Sequence, residues 1–103
     1  MLKVVCEFTF NGVRCVEYLC EDIGDVLPMH SHTFNHLTKV TKGTIEAFTD
    51  DGVVIQSEVG EDPLEYVAGR KHGIRGLTAG AMFMNISPIA PATETIWETD
   101  PPA

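Results

Sequence analysis

Basic residues are scarce in this chain. Its 103 residues hold seven Lys and Arg against fifteen Asp and Glu, for a formal charge of -8. Proteins that grip nucleic acid by its phosphates need clustered basic side chains, so nucleic acid is not an expected partner. Long hydrophobic runs are missing too: no apolar stretch exceeds five residues, too short for a bilayer-spanning helix. The opening MLKVVCEFTFNG lacks the apolar stretch and small-residue cleavage site of a secretory signal, and the expectation is a cytoplasmic protein without a membrane partner. Cysteine is sparse and odd in number. Cys6, Cys15 and Cys20 show no C-x-x-C spacing and sit among alternating apolar residues, where a thiol behaves as a small hydrophobe, not as part of a disulfide framework. What remains is globular composition, 44% apolar and 21% charged, in a chain sized for one domain over 1–103.

Turn signals recur at short intervals. Asn11-Gly12, Lys42-Gly43, Asp51-Gly52 and Ala79-Gly80 each separate apolar segments and predict tight hairpins in an all-β domain. Before the first, Val4, Cys6, Phe8 and Phe10 alternate with Lys3, Glu7 and Thr9, predicting a strand with one wet face. After it, Val16, Tyr18 and Cys20 share a parity, so strand is preferred to helix for 13–22. Further strands are predicted near 36–41, 44–49, 53–58, 64–67, 72–77, 81–86 and 93–98. The segment 81–86, AMFMNI, is apolar on both parities and should be covered on both faces, by a second sheet or a second subunit. The acidic pairs Glu21-Asp22, Asp50-Asp51 and Glu61-Asp62 fall at predicted turns as solvated tips. Prolines at 88, 91, 101 and 102 interrupt pairing in the tail. The chain thus divides into N-terminal strands over 2–20, a core over 24–86, and a late strand with a Pro-rich tail over 87–103.

Histidine is concentrated where little else is. The run HSHTFNH holds His30, His32 and His36, and His72 follows on a distant predicted strand. Residues two apart on a strand share a face, so His30 and His32 can present two imidazoles to one ion. The intervening Thr33-Phe34-Asn35 is expected to bend before His36. Neutral imidazole suits Zn, Cu, Fe, Ni and, less tightly, Mn. Because only neutral imidazole ligates, metal affinity is expected to fall below about pH 6. A zinc-hydrolase pattern, H-x-H-x-D-H, fails here because position 34 is Phe.

The flanks extend the pattern. Gly24, His30, His32, His36 and Gly43 stand at the spacing G-x5-H-x-H-x3-H-x6-G. This resembles the first motif of the cupin superfamily, with His36 in place of its acidic residue. The segment VAGRKH, 67–72, resembles the second motif through Gly69 and His72, while Val67 replaces its Pro and Gly76 its Asn. The resemblance implies a double-stranded β-helix, a jelly-roll barrel, similar to small single-domain cupins that hold a divalent transition metal with four imidazoles. By that resemblance His30, His32, His36 and His72 are the ligands, Mn is the expected ion, with Fe, Ni, Cu or Zn as alternatives, and a homodimer is the expected assembly.

With no ligand carboxylate, such an ion keeps its double charge. It would be a strong Lewis acid with two open positions for water, dioxygen or a bidentate substrate. The leading expectation is a metal-dependent oxidoreductase of dioxygenase type acting on a small organic substrate, with Met29, Phe34, Phe83, Met84 and Trp97 as pocket candidates. The alternatives are a non-catalytic cupin that binds a small ligand or uses its metal as a brace, and an isomerase or sugar-processing enzyme, for which Glu46 and Tyr66 are the available groups. Arg70, Lys71 and Arg75 surround His72 and could form a rim for an anionic substrate. Arg75, of opposite parity to His72, should point outward.

Overall fold

The protein is described by a computed structural model covering residues 1–90 and 94–98. Ten strands make the all-β architecture that the turn spacing predicts: β1 (Leu2–Phe10), β2 (Val13–Cys20), β3 (Val26–His32), β4 (His36–Lys42), β5 (Thr44–Thr49), β6 (Val54–Glu58), β7 (Leu64–Tyr66), β8 (His72–Gly76), β9 (Ala81–Pro88) and β10 (Thr95–Trp97). They form two five-stranded sheets, in the orders β1-β2-β9-β4-β7 and β10-β3-β8-β5-β6, with antiparallel pairing throughout. Among the described residues no helix is long and apolar enough to cross a membrane. Of the late segment, Pro91, Thr93, Pro101 and Pro102 lie outside the described residues.

Only two of the four predicted hairpins are hairpins. Asn11-Gly12 joins β1 to β2 and Asp51-Gly52 joins β5 to β6. Lys42-Gly43 and Ala79-Gly80 instead carry the chain from one sheet to the other. A turn signal reports a reversal but not whether the next strand pairs with the last. Gly43 makes its crossing possible: its φ is +67°, and a Cβ there would run into the Thr78 hydroxyl.

The core lies between the sheets. Cys20, Leu27, Ile45, Ile74, Ala81 and Phe83 are buried to 1% exposure or less. Burying side chains of the size of Leu27, Ile45, Ile74 and Phe83 contributes about 1.5–3 kcal/mol each. Inward-facing residues grow more polar toward one end of the barrel. On β2 they run Cys20, Tyr18, Val16, Arg14; on β9 Ala81, Phe83, Asn85, Ser87; on β4 Val40, Thr38, His36. Register places Cys20 beside Ala81, Tyr18 beside Phe83 and Arg14 beside Ser87, so the apolar ends coincide in the core and the polar ends surround a cavity.

Strand β1 departs from its predicted orientation. It is an edge strand, exposed along nearly its whole length. Val4 opposes Tyr18 but Cys6 opposes Glu17, so Val5 is an extra residue, a β-bulge. Beyond it Cys6, Phe8 and Phe10 face outward, while Glu7 and Thr9 share the inner face with Val16 and Arg14. Strand β9, apolar on both parities, lies at the centre of its sheet between β2 and β4. Its Met82, Met84 and Ile86 are half-buried on the outer face.

Candidate metal centre

A bulge aims the first histidine. Leu27 pairs with Ile74 and His30 with His72, two intervening residues on β3 against one on β8. The extra residue in the Pro28-Met29 segment lets Leu27 and His30, three apart, both face inward. His32 follows two residues on. A bend over Thr33-Phe34-Asn35 then returns the chain as β4, with His36 at its first position, and β8 opens on His72.

The four imidazoles are neighbours. Ring centroids lie 4.4 Å apart for His30 and His72, 4.7 Å for His30 and His32, 4.7 Å for His32 and His36, and 4.8 Å for His36 and His72. One nitrogen from each of His30, His32 and His72 falls within 4.8 Å of the others, a grouping fit for a metal ion; His36 stands outside it. Tyr66, buried on β7, stacks on His72 at 4.2 Å and 8° and on His36 at 5.5 Å. Sequence reasoning marked Tyr66 only as a weak acid–base candidate. Its stacking role rests on β7 pairing with β4, His36 opposite Tyr66.

Hydrogen bonds set the tautomers. Nδ1 of His30 lies 2.7 Å from the Pro28 carbonyl, and Nδ1 of His72 lies 2.8 Å from the Arg70 carbonyl. A carbonyl only accepts, so each Nδ1 carries the proton and each Nε2 keeps a lone pair. His32 Nδ1 is 2.8 Å from the Thr95 hydroxyl, which can accept in the same way. These are the contacts that orient metal-binding histidines. Among the described residues, Nδ1 and Nε2 of His36 and Nε2 of His72 are buried without a hydrogen-bond partner. Buried polar atoms are rarely left so. Lone pairs of borderline softness, converging from fixed tautomers, fit a divalent transition ion.

Burial keeps these rings neutral. Desolvation, with smaller repulsion between neighbouring imidazoles, lowers His32 and His36 to about 3; desolvation and the neighbouring His30 lower His72 to about 4. Desolvation also lowers His30, against a raising hydrogen bond to Pro28. This revises the pH expectation read from sequence. Proton competition for the lone pairs starts from the folded values near 3 to 4, so metal should be retained well below pH 6.

A cavity of about 200 Å³ opens beside the histidines. Phe34, stacked on His32 at 4.7 Å, and Trp97, 4.7 Å from His30, form part of its wall. Phe83 lies deeper, fully buried and stacked on Tyr18. Met84 is on the outer face beside Glu17 and Lys39, and Met29 lies in the bulged segment and is not part of the wall. Arg14, Asn85, Ser87 and Thr95 complete the polar side. They were missed because a lone polar residue on an otherwise apolar parity reads as noise until register aligns several of them. Thr38 donates to Oδ1 of Asn85 at 2.7 Å, which leaves the Asn85 NH2 available to a ligand.

The basic cluster around His72 turns away from the cavity. Arg70 makes two 3.0 Å bonds to Asp51, and Lys71 sits 3.0 Å from Glu98. Arg75 points outward as parity predicts, 3.2 Å from Glu46 and over the Phe48 ring. Glu46 is thereby also on the outside.

The fold has counterparts among solved structures. The chain superposes on Bacillus subtilis oxalate decarboxylase with a TM-score of 0.73 at 19% identity, covering 86% of this chain and 25% of that one. It superposes on a Klebsiella pneumoniae protein with a double-stranded β-helix domain, TM-score 0.71 and 21% identity, over 96% of this chain and 84% of the other. A cupin from Desulfitobacterium hafniense gives 0.68 at 18% identity, over 87% and 77%.

This is the cupin fold. The double-stranded β-helix that the resemblance implies is the architecture observed. The chain spans about a quarter of the oxalate decarboxylase chain that it matches. No family profile matches the sequence, and no curated protein sequence matches it either.

Proposed function

We propose that this cupin binds one divalent first-row metal ion through His30, His32 and His72, with His36 as fourth ligand, and acts as an oxidoreductase of dioxygenase type on a small organic substrate. The observation that carries the metal site is the pairing of spent and unspent nitrogens: Nδ1 of His30 and His72 donate to backbone carbonyls, while Nε2 of His72 is buried without a partner. His36, unpartnered at both nitrogens and 4.8 Å ring-to-ring from His72, would join the set by side-chain rotation. Manganese is the proposed ion, supported by the fold shared with an oxalate decarboxylase whose structure is described by its Mn(II) centers. The ion would supply Lewis acidity and open coordination positions; the chain supplies fixed tautomers, an aromatic wall from Phe34 and Trp97, and hydrogen-bonding groups along the polar side of the cavity.

The test is oxygen consumption by protein loaded with manganese, iron or copper over a panel of enolisable and alkenyl acids. Uptake above the metal-free control is the expected result; none across the panel would sink the oxidoreductase reading. Metal content of the same samples tests the site separately.

We also propose that two copies pair through β1, whose outer edge pairs with no other strand among the described residues and which turns Phe8 and Phe10 outward at 46% and 71% exposure. Work in the reducing cytoplasm would suit three cysteines that are all unpaired.

A further inference from the structure

The cavity holds one fixed positive charge, and it comes from the opposite sheet to His72. The histidines of the wall are held neutral by burial, and among the described residues Arg14 is the only charged side chain there. Its side chain is 42% exposed. Nε and Nη2 both donate to the same oxygen of Glu7, at 2.9 and 2.5 Å, and Nη1 makes no hydrogen bond to a side chain among the described residues. Glu7 reaches this position through the Val5 bulge. Glu7 opposes Val16 and Thr9 opposes Arg14, so Glu7 and Arg14 are diagonal neighbours on the inner face. In an unbulged strand Glu7 would point outward.

We infer that Arg14 anchors the carboxylate of a small organic acid in this cavity, and that Glu7 occupies the same donors until the ligand arrives. An arginine fork recognises a carboxylate through two parallel N–H bonds, and here one oxygen of Glu7 takes both donors. The pair is about half-exposed at each end, the setting in which an ion pair contributes little to stability, so exchange of one carboxylate for another costs little. A cavity of about 200 Å³ suits a small acid. The inference rests on the proposed metal site only in that a cation at the histidines would add to the same positive field. It also relocates the anion-binding role from Arg70 and Lys71, whose charges are taken up by Asp51 and Glu98 on the outside.

The experiment titrates full-length protein, zinc-loaded and metal-free, with propanoate and with its uncharged counterpart propanamide, followed by NMR shifts of the cavity residues. Wild type should bind propanoate at least about tenfold more tightly than propanamide, and Arg14→Gln should abolish that preference, a loss of roughly ten- to a hundredfold for propanoate. Glu7→Gln, which removes the competing carboxylate, should tighten propanoate by roughly two- to fivefold and leave propanamide unchanged. No preference in wild type, a preference that survives in folded Arg14→Gln, or a Glu7→Gln variant that binds propanoate no better would each overturn the inference. If Arg14→Gln does not fold, the Glu7→Gln result decides. Zinc stoichiometry on the same samples separates the two claims: no zinc uptake with Arg14-dependent propanoate binding removes the metal reading alone, and zinc uptake with Arg14-independent binding removes this one alone.

Discussion

His30 and His72 stand directly opposite each other on β3 and β8, their rings 4.4 Å apart, although 42 positions separate them in the chain. Each donates its Nδ1 proton to the carbonyl two residues before it, Pro28 and Arg70. Opposed strands thus build two halves of one site by the same local device, and neither half is complete alone.

His30→Ala and His72→Ala should therefore lose bound metal to the same extent, measured by elemental analysis after dialysis. Thr95→Val removes the hydroxyl beside His32 Nδ1 without touching a ligand and should weaken metal binding by roughly ten- to a hundredfold. Unchanged affinity in Thr95→Val would show that the Thr95 contact does not orient the ligand.

Acid should destabilise the metal-free protein. In the unfolded chain these histidines titrate near 6.5, while burial lowers His32 and His36 to about 3 and His72 to about 4 in the folded state. Between those values the unfolded chain binds more protons, so stability is full above pH 6.5 and falls as pH drops toward 4. Denaturant unfolding from pH 7.5 to 4 should show the decline, and a His32→Gln, His36→Gln double variant should flatten it. An equally steep decline in that variant would place the effect elsewhere.

Gly76 should not tolerate a methyl group. It is buried, and a Cβ there would come 2.6 Å from the Cys20 Cβ and 2.9 Å from its Sγ, so Gly76→Ala overpacks the core by an amount costing about 1–3 kcal/mol. Replacing Cys20 with Gly in the same chain should recover part of that loss. Thermal unfolding of both variants measures it.

The outward phenylalanines should govern self-association. Phe8→Lys with Phe10→Lys should weaken the proposed dimer by roughly tenfold or more, read by light scattering across a dilution series, while leaving metal content unchanged. A wild-type protein that remains monomeric at every concentration would remove the dimer proposal.

The strands around the site were legible because their local signals agree. His36–Lys42, Thr44–Thr49 and His72–Gly76 match their predicted ranges to within a residue. The site was legible in composition, as four histidines at motif spacing, but not in geometry: His36 shares the parity of His30 and His32 yet stands outside the group formed by His30, His32 and His72. Arg70, Lys71 and Arg75 crowd His72 in sequence but each pairs with a carboxylate on the outside.

By itself the sequence determined an all-β chain with turns at set points, an acidic surface and a cluster of imidazoles that can hold a transition ion, because period-two patterning, turn chemistry and ligand type are local properties. Only the tertiary structure decided which side chains meet. Bulges at Val5 and in the Pro28-Met29 segment each shift a strand by one residue and exchange its faces, sending Phe8 and Phe10 outward while bringing Glu7 and His30 in. Pairing between distant strands then joined His72 to His30 and set Arg14 in the wall of the cavity, a juxtaposition that no spacing along the chain encodes.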